Sequence, residues 1–543
     1  MQNEPQTITI TNLGGPLTHK RTGNIDSGLA KHDTSWGYDP YSKPGNLTWM
    51  EQPTSIFTIT PANSSVATFF NIKARHEGGN PYAYAIGGNS KLYRSLVANS
   101  ATLNPDADAV STIGSISGVF TYHSGMVFYG STEKIFIGTH DRIERINFDG
   151  TASSVVGGPG QVNNNVPRPV AVFQGKIYFG NFNNIGEIDS TETVTTTAKL
   201  DPALPSGVYI SDLDVTPDGN YLQITASRTI PPVMSGMAGG SGSTIPQPTT
   251  TVDSYKFYWN GVDAGITSFE QFNGTNFLAS EVFGEFNYTL GRDISGGYIL
   301  NNRTKTSLPR IKEINPAATY SVGNTLGLAV PEYDEATSEY TTAVFHYGEW
   351  DEETPFGLYR LLRQDPSTQN DVDFVVAAEP VTGAGNSPLV SGYLNNISST
   401  GKIYFSTTEV SGSSVATQTH KVWRFPIIPT GTGSIVAGVY ETQTQLFSKK
   451  SKISEVRLYT EPLIGGNDFV VDLIGSGGSV MAGGRQRFQV ATGSVATGTD
   501  MVQFNPAMAP TYAIGVRVTN SSVTGVANWT GNKIEIDYTE GGR

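Results

Sequence analysis

The sequence predicts an all-β fold in which a β-propeller of about seven blades is followed by a C-terminal β-sandwich. The first observation is a recurring hairpin, a glycine turn that leads into four or five apolar or aromatic residues. Its copies are SGMVFYG (124–130), QGKIYFG (174–180), PDGNYLQI (217–224) and TGKIYF (400–405). The first three turn glycines are 50 and then 44 residues apart, and roughly 40–50 residues is the period of propeller blades.

Composition is the second observation. The 543 residues include 61 glycines, 25 tyrosines and 25 phenylalanines, while only 15% are charged. Such a chain favours strands joined by turns over helices or disorder. Its length also exceeds what one hydrophobic core usually organises, so that more than one domain is expected.

The last hundred residues provide the third observation. Five segments alternate apolar and polar residues and are separated by glycine-rich turns, which is typical of a sandwich. We predict a jelly-roll-like β-sandwich over 435–543, after a Pro/Gly-rich boundary at 426–434. The five segments are VRLYT, FVVDLIG, RQRFQVAT, YAIGVRVTN and KIEIDYTE.

The part of the chain before the sandwich divides into an arm and the propeller. Residues 1–57 are turn-rich and carry spaced aromatic residues, so they predict an extended N-terminal arm, with Leu47 and Trp49 anchoring it on the next domain. The propeller is predicted over 58–427. Within it, residues 229–252 are uncharged and rich in Gly, Ser, Pro and Thr, which predicts a long exposed loop. This loop is either a contact with another chain or a tolerated insertion.

Charge and cysteine content exclude several functions. The formal net charge of −13 argues against a broad nucleic-acid-binding surface, although acidic walls are compatible with a conduit through which DNA slides. The absence of cysteine excludes disulfides, thiol catalysis and thiolate metal sites. Neither a transmembrane segment nor a signal peptide is evident. We therefore expect synthesis in a cytoplasm and no membrane insertion.

Catalytic motifs are missing as well. The sequence has no G-x-S-x-G elbow, P-loop or H-E-x-x-H motif, and its histidines are scattered. The strongest acidic cluster, 349–353, could supply the acid and base of a glycosidase or oxygen ligands for calcium. It is more typical of a solvated hairpin tip. We predict no enzyme activity and no cofactor or metal.

Three groups of residues are candidates for an interface. One lies in the long loop, one in the acidic cluster, and one in a basic run that stands out in an acidic chain. The acidic cluster of one copy could face the basic run of the next, while the alternative for the run is a solubilising turn. The candidates are Met234, Met237, Asp351, Glu352, Glu353, Lys449, Lys450 and Lys452.

The order of these parts resembles the propeller-type tail proteins of tailed bacteriophages, including the nozzle proteins of short-tailed phages. In the arm the matching residues are Gly14, Gly15, Pro44, Gly45 and Leu47. At the opening of the sandwich they are Thr444, Leu446, Phe447, Lys449, Lys450, Lys452, Ile453, Val456 and Tyr459.

The resemblance implies a non-enzymatic ring around the tail axis of a virion, made in the cytoplasm of a bacterial host. Its expected partners are copies of itself, tail proteins of the adaptor, tube or fibre, a host surface glycan, and DNA in transient passage. Its expected roles are virion assembly, host attachment and genome delivery. Two alternatives stay open: a receptor- or glycan-binding adhesin, and a propeller glycan hydrolase.

Overall fold

A computed structural model provides the structure of the protein, and all regular structure in the residues it describes is β-strand. The described residues are 4–11, 13, 32–37, 46–49, 54–59, 69–77, 80–87, 91–96, 101–103, 109–112, 119–121, 125–130, 133–139, 142–148, 153–156, 168–216, 218–228, 233–235, 253–283, 286–293, 296–301, 304–307, 328–329, 333–334, 339–340, 344–348, 357–363, 374–379, 389–395, 402–410, 418–426, 438–464, 466–475, 479–490, 493–520 and 529–541. Within these ranges no helix could span a membrane.

The strands are numbered here in chain order. The first fourteen are β1 (Gln6–Ile10), β2 (His32–Trp36), β3 (Thr54–Ile59), β4 (Phe69–Glu77), β5 (Asn80–Gly87), β6 (Lys91–Leu96), β7 (Ala101–Leu103), β8 (Ala109–Thr112), β9 (Val119–Thr121), β10 (Met126–Tyr129), β11 (Lys134–Gly138), β12 (Ile143–Asn147), β13 (Ser153–Val155) and β14 (Val170–Phe173). The next fourteen are β15 (Lys176–Asn181), β16 (Asn184–Ile188), β17 (Val194–Thr196), β18 (Tyr209–Val215), β19 (Leu222–Ser227), β20 (Val233–Ser235), β21 (Ser254–Trp259), β22 (Ser268–Phe272), β23 (Asn276–Phe283), β24 (Phe286–Asp293), β25 (Gly296–Asn301), β26 (Thr304–Ser307), β27 (Leu328–Ala329) and β28 (Tyr333–Asp334). The last fourteen are β29 (Glu339–Tyr340), β30 (Val344–Gly348), β31 (Gly357–Arg363), β32 (Phe374–Glu379), β33 (Leu389–Asn395), β34 (Lys402–Val410), β35 (Gln418–Pro426), β36 (Gly438–Thr442), β37 (Gln445–Thr460), β38 (Asp468–Ile474), β39 (Val480–Gln489), β40 (Met501–Phe504), β41 (Thr511–Asn520) and β42 (Gly531–Glu540).

The chain forms two compact units. The propeller unit comprises Pro53–Asp351 and Gly383–Phe425. The terminal unit comprises Met1–Gln52, Glu352–Thr382 and Pro426–Arg543. The segment that the sequence assigned to an arm is thus divided, because residues up to 52 belong to the terminal unit and β3 belongs to the propeller unit.

Five four-stranded antiparallel sheets follow one another in the propeller unit. They are β4-β5-β6-β8, β10-β11-β12-β13, β14-β15-β16-β17, β18-β19-β21-β22 and β23-β24-β25-β26, here called the first to fifth sheets. The leading strands of the second to fifth sheets pack side by side, β10 on β14, β14 on β18 and β18 on β23. The leading strand is therefore the innermost of each blade, as in a β-propeller.

A closing sheet completes the ring. Its strands β33, β34 and β35 come from the end of the propeller segment, and β3, from the beginning, pairs antiparallel with β35. Strands β33 and β34 also pack on β4 of the first sheet. Between the fifth and closing sheets, β27 pairs with β30 and packs on β23 and β33. The described part of the propeller unit thus contains six sheets of four or five strands and the three strand pairs β27–β30, β9–β20 and β28–β29, and the number of about seven blades stays a prediction.

The glycine hairpins have the predicted conformation at two of three positions. Gly175 (φ 74°) and Gly219 (φ 71°) adopt the left-handed conformation in the turns between the first two strands of their sheets. Gly125 instead precedes the innermost strand, and a Cβ there would lie 2.3 Å from the backbone nitrogen of Val170. It permits the close approach of two inner strands, so SGMVFYG is not a copy of QGKIYFG. The counterpart of KIYFG in the second sheet is KIFIG, strand β11.

Two antiparallel sheets share a hydrophobic core in the terminal unit. One has the order β1-β42-β37-β40, and the other has the order β36-β41-β38-β39. Val456 and Ile536 of the first sheet lie in one buried cluster with Phe469 and Val518 of the second. The shared core follows from the alternation of apolar and polar residues in these segments. The sandwich architecture and its jelly-roll connections stay predictions.

The predicted anchors of the arm, Leu47 and Trp49, are fully buried in this terminal core. Leu47 exchanges two backbone hydrogen bonds with Gly531, each 2.8 Å, and the ring centroid of Trp49 lies 5.5 Å from that of Trp529. The prediction that they anchor on the next domain along the chain is therefore wrong. Their partners lie nearly at the other end of the sequence, where no local pattern could indicate them.

The long loop between β19 and β21 contains one described strand. Strand β20 pairs antiparallel with β9, with Met234 opposite Phe120. This part of the segment is thus strand rather than loop. The rest of 229–252, apart from β20, lies outside the described residues.

Candidate functional site

The structure describes four of the eight candidate interface residues. Lys449, Lys450 and Lys452 lie on β37 of the terminal unit, and Met234 lies on β20 of the propeller unit. The others lie outside the described residues, so the pairing of the acidic cluster with the basic run stays a prediction. They are Met237, Asp351, Glu352 and Glu353.

The three lysines lie at or beside a wide bulge in β37. Leu446 is paired with Ala513 and Ser451 with Thr511, so four residues of β37 lie opposite the single residue Tyr512. A bulge adds unpaired residues to one strand and redirects their side chains. The sequence indicated the charges here but not the bulge, because a bulge depends on the register with a strand sixty residues away.

Hydrogen bonds and one buried ring hold this bulge in place. Phe447 is buried, with its ring centroid 4.7 Å from that of Tyr538. The Ser448 hydroxyl donates to Glu540 Oε1 at 2.8 Å. The carbonyl oxygen of Lys449 accepts from the Ser451 hydroxyl at 3.0 Å, and that of Lys450 accepts from the Gly541 amide at 2.8 Å. The bulge is therefore anchored from both sides.

The outer surface of the bulge combines apolar and cationic groups. Leu446 is 58% exposed and Tyr512 is 56% exposed. Lys450 Nζ lies 5.7 Å from the centroid of the Tyr512 ring, within range of a cation–π interaction. In the described part of the chain, none of the three lysines forms an ion pair. We call this surface the basic bulge patch: Leu446, Lys449, Lys450, Lys452 and Tyr512.

Arg457, which the sequence associates with the basic run, is not part of the patch. Its guanidinium group lies 3.1 Å from Glu455, 3.1 Å from Glu535 and 2.9 Å from Asp537. Its charge is thus matched within the sheet formed by β37 and β42. Partly exposed pairs of this kind contribute little to stability, but they leave no net positive charge at this position.

A second preorganised surface lies on the propeller unit, at the hairpin between β21 and the outermost strand β22 of the fourth sheet. The side-chain oxygen of Asn260 accepts from the amides of Val262 (3.0 Å) and Asp263 (2.9 Å), which forms an Asx turn. Trp259 Nε1 donates to the carbonyl oxygen of Asp263 at 2.7 Å. Gln174 Nε2 donates to the carbonyl oxygen of Asn260 at 3.0 Å and ties the loop to the third sheet.

This rigid loop presents an apolar residue among carboxylates. Val262 is 83% exposed at the tip of this loop. Asp263 is exposed beside it, and the exposed Asp201 donates its backbone amide to the carbonyl oxygen of Ala264 at 2.6 Å. We call this surface the rim loop patch: Asp201, Val262 and Asp263. Apart from the Asn260-Gly261 dipeptide, no sequence motif indicates this surface.

A buried polar seam separates the fourth and fifth sheets. Asp212, Thr225, Lys256 and Glu270 are register partners across β18, β19, β21 and β22, so their side chains share one face of the sheet. The row ends at the fifth sheet, where the Asp212 carboxylate accepts from the Ser280 amide at 3.2 Å. In the described residues, apolar clusters join the second sheet to the third and the third to the fourth, whereas this row between the fourth and fifth sheets is polar and charged.

Lys256 is the most deeply buried charge in this seam, 1% exposed. Burial lowers the pKa of Lys256 from 10.5 to about 8, while the negative charges of Glu270 and Asp214 act in the opposite direction. Its Nζ lies 5.8 Å from the centroid of the Phe277 ring on the fifth sheet. The ammonium group is thus retained in the interior at a free-energy penalty.

The opposite face of the fourth sheet is apolar. Ile224 and Trp259 pack in one buried cluster with Tyr178 of the third sheet, and the Tyr178 and Trp259 ring centroids are 5.3 Å apart. Both faces of the fourth sheet are buried, because neighbouring sheets cover each side.

Among the described residues, no group of three or more His, Cys, Asp or Glu side chains is placed to hold a metal ion. The arrangement of both patches suits contact with another protein surface, since each combines exposed apolar area with charges of one sign.

No family model and no curated protein matches the chain. Solved structures that resemble it include the WD40 domain of Neurospora crassa Pan2, with 8% identity over 69% of this chain and 96% of that chain and a TM-score of 0.35. BBS1N in complex with ARL6DN has 8% identity over 69% and 98%, with a TM-score of 0.34. An exo-beta-1,3-galactanase from Phanerochaete chrysosporium has 8% identity over 69% and 97%, with a TM-score of 0.24. At TM-scores this low, these likenesses carry no argument about function.

Proposed function

We propose that this protein is a non-enzymatic structural component of a bacteriophage tail, of the nozzle or tail-tip type, that assembles with copies of itself and with neighbouring tail proteins. In the virion it takes part in assembly, host attachment and genome delivery. The basic bulge patch is the observation that supports the proposal best. It lies within the segment on which the resemblance to phage tail proteins rests.

An assembly surface requires groups that provide affinity and groups that set the register of the contact. Exposed apolar groups provide the affinity of a protein contact, whereas exposed charges mainly set its register and specificity. Leu446 and Tyr512 provide the exposed apolar groups, and the three lysines provide the exposed charges. The bulge is held before any partner arrives, so that little conformational entropy is lost on binding.

The proposal predicts that the chain is present in particles in several copies. A tagged chain expressed from its own genome should be found by mass spectrometry in purified virions, and by immunogold electron microscopy at the tail. Absence from particles, or a position on the capsid shell, would overturn the proposal. A tagged capsid protein serves as the positional control.

The same proposal predicts no turnover of host-envelope glycans. We expect none from the unmutated protein and none from the variant in which Glu349, Asp351, Glu352 and Glu353 are replaced by Gln or Asn. Cleavage by the unmutated protein that is abolished in the variant would instead establish a glycan hydrolase built on these carboxylates.

A further inference from the structure

We propose that the basic bulge patch of one copy binds the rim loop patch of a second copy of this chain. The inference rests on the proposed function, since it specifies which surfaces join the copies. Each patch thus has a defined binding partner, and the contact can be tested by substituting its charged residues.

The opposite charges of the two patches make a second copy of this chain the expected partner. The chain has a formal net charge of −13, so three exposed lysines that form no ion pair with any described residue are a local exception on its surface. The rim loop patch has the opposite sign, with Asp201 and Asp263 exposed. Neither carboxylate forms an ion pair with any residue in the described ranges. Each copy therefore presents one surface of each sign.

Both patches also expose apolar groups. Val262 projects from a tight turn as a single side chain, 83% exposed. The basic bulge patch offers two apolar groups, Leu446 and Tyr512, on either side of the register break between β37 and β41. Burial of these groups would supply affinity, and the flanking charges would align the contact.

Both patches are rigid before they meet. Asn260, Trp259 and Gln174 hold the rim loop through hydrogen bonds of 2.7–3.0 Å. Phe447 and Gly541 hold the bulge through a buried ring and a backbone hydrogen bond. Preorganisation on both sides lowers the entropic penalty of association.

The contact joins two different surfaces and is therefore heterologous. Each copy keeps one free patch after binding, so further copies add in the same sense until a ring closes or a filament grows. A stable contact of this kind buries at least roughly 1,000 Å² in total, of which the two patches are the centre.

A charge exchange tests the pairing. The first variant carries Lys449→Glu, Lys450→Glu and Lys452→Glu, and the second carries Asp201→Lys and Asp263→Lys. Each variant alone opposes like charges, and we expect its self-association, measured by sedimentation over a concentration series, to weaken by about a hundredfold. In a 1:1 mixture, every contact between one variant and the other pairs opposite charges, so the two variants should bind each other with about the affinity of the unmutated chain for itself.

Control substitutions change charge at exposed positions outside both patches, Asp500→Lys and Gln503→Glu, and should leave association unchanged. Circular dichroism and thermal unfolding verify that every variant is folded.

The inference is overturned if the unmutated chain stays monomeric at all concentrations, if either variant assembles normally, or if the mixture does not recover. Binding of the lysines to an acidic protein other than this chain would also overturn it. A chain that is found in tails but fails this exchange refutes the contact alone, whereas absence from particles refutes the proposed function.

Discussion

Substituting alanine for Trp529 is expected to lower the free energy of unfolding of the terminal unit by about 3–5 kcal/mol. The indole is buried, and its ring centroid lies 4.5 Å from that of Phe469 and 5.5 Å from that of Trp49. Its Nε1 donates to the Asn520 side chain at 3.2 Å. The substitution removes a large apolar group from the centre of the core and leaves a cavity between segments from both ends of the chain.

Chemical denaturation, followed through the transition of the terminal unit, measures this loss. Tyr512→Ala is the matched control, because it removes an exposed aromatic ring from the same unit and should change stability by no more than about 0.5 kcal/mol. Since Trp49 packs on Trp529, the N-terminal segment should also become more sensitive to proteolysis in Trp529→Ala. A loss below about 1 kcal/mol would mean that Trp529 is not central to the core.

Replacing Lys256 with methionine is expected to raise the free energy of unfolding of the propeller unit by roughly 1–3 kcal/mol at pH 7, less than the full pKa shift implies because Glu270 and Asp214 lose a favourable charge. The pKa of Lys256 is about 8 in the folded protein, against 10.5 ordinarily, so the folded state disfavours the charged form. Methionine keeps most of the apolar stem and removes the charge.

The sign of the pH dependence follows from the direction of this shift. Below pH 8 the lysine is charged in both states, and the full penalty of holding that charge in the interior is present. Between pH 8 and 10.5 the unfolded chain binds a proton that the folded chain does not, so the stability of the unmutated protein rises with pH relative to the variant. The advantage of Lys256→Met should therefore shrink through this window and vanish above it.

Urea unfolding of both proteins at pH 7, 8.5 and 10.5 tests this expectation. Lys134→Met is the control, because Lys134 Nζ lies 2.9 Å from Glu192 at a partly exposed position. The same substitution there removes an ion pair and should be neutral or slightly destabilising. A destabilised Lys256→Met variant at pH 7 would show that the ammonium group holds the seam together rather than weakening it.

The two preorganised patches give the propeller and terminal units separate roles in the proposed assembly. The terminal unit presents the basic bulge patch, and the propeller unit presents the rim loop patch. Both are formed by hairpins or bulges at strand ends, where the ladder of backbone hydrogen bonds is interrupted and a side chain can project. Residues in surfaces of this kind can be substituted without loss of the fold.

Sequence reasoning succeeded where the signal is local. The glycines at 175 and 219 adopt the left-handed conformation that a tight turn requires, and the predicted runs after them form buried strands. It failed at Gly125, where the same residue type serves a contact between two strands of neighbouring sheets. A turn and a close approach both require glycine, and a single sequence does not distinguish them.

For the candidate site, the sequence identified the lysines on β37 as unusual in an acidic chain, and they are exposed there. It did not indicate the bulge that presents them, the exposed Leu446 and Tyr512 beside them, or the rim loop. These features depend on pairing between strands far apart in the chain. The hydrogen bonds of Asn260 are local, but its tie to Gln174 spans 86 residues.

By itself, the sequence determined the all-β class, the turns and the strand alternation, because these depend on the conformational preferences of neighbouring residues. Only the tertiary structure decided which strands meet and which faces are covered. Strand β3 closes the ring against β35, Leu47 and Trp49 enter a core built from the last residues, and Lys256 becomes buried because the fifth sheet covers its face of the fourth sheet. The physical reason is that burial is a property of the assembled neighbours, whereas alternation along a strand specifies only that its two faces differ.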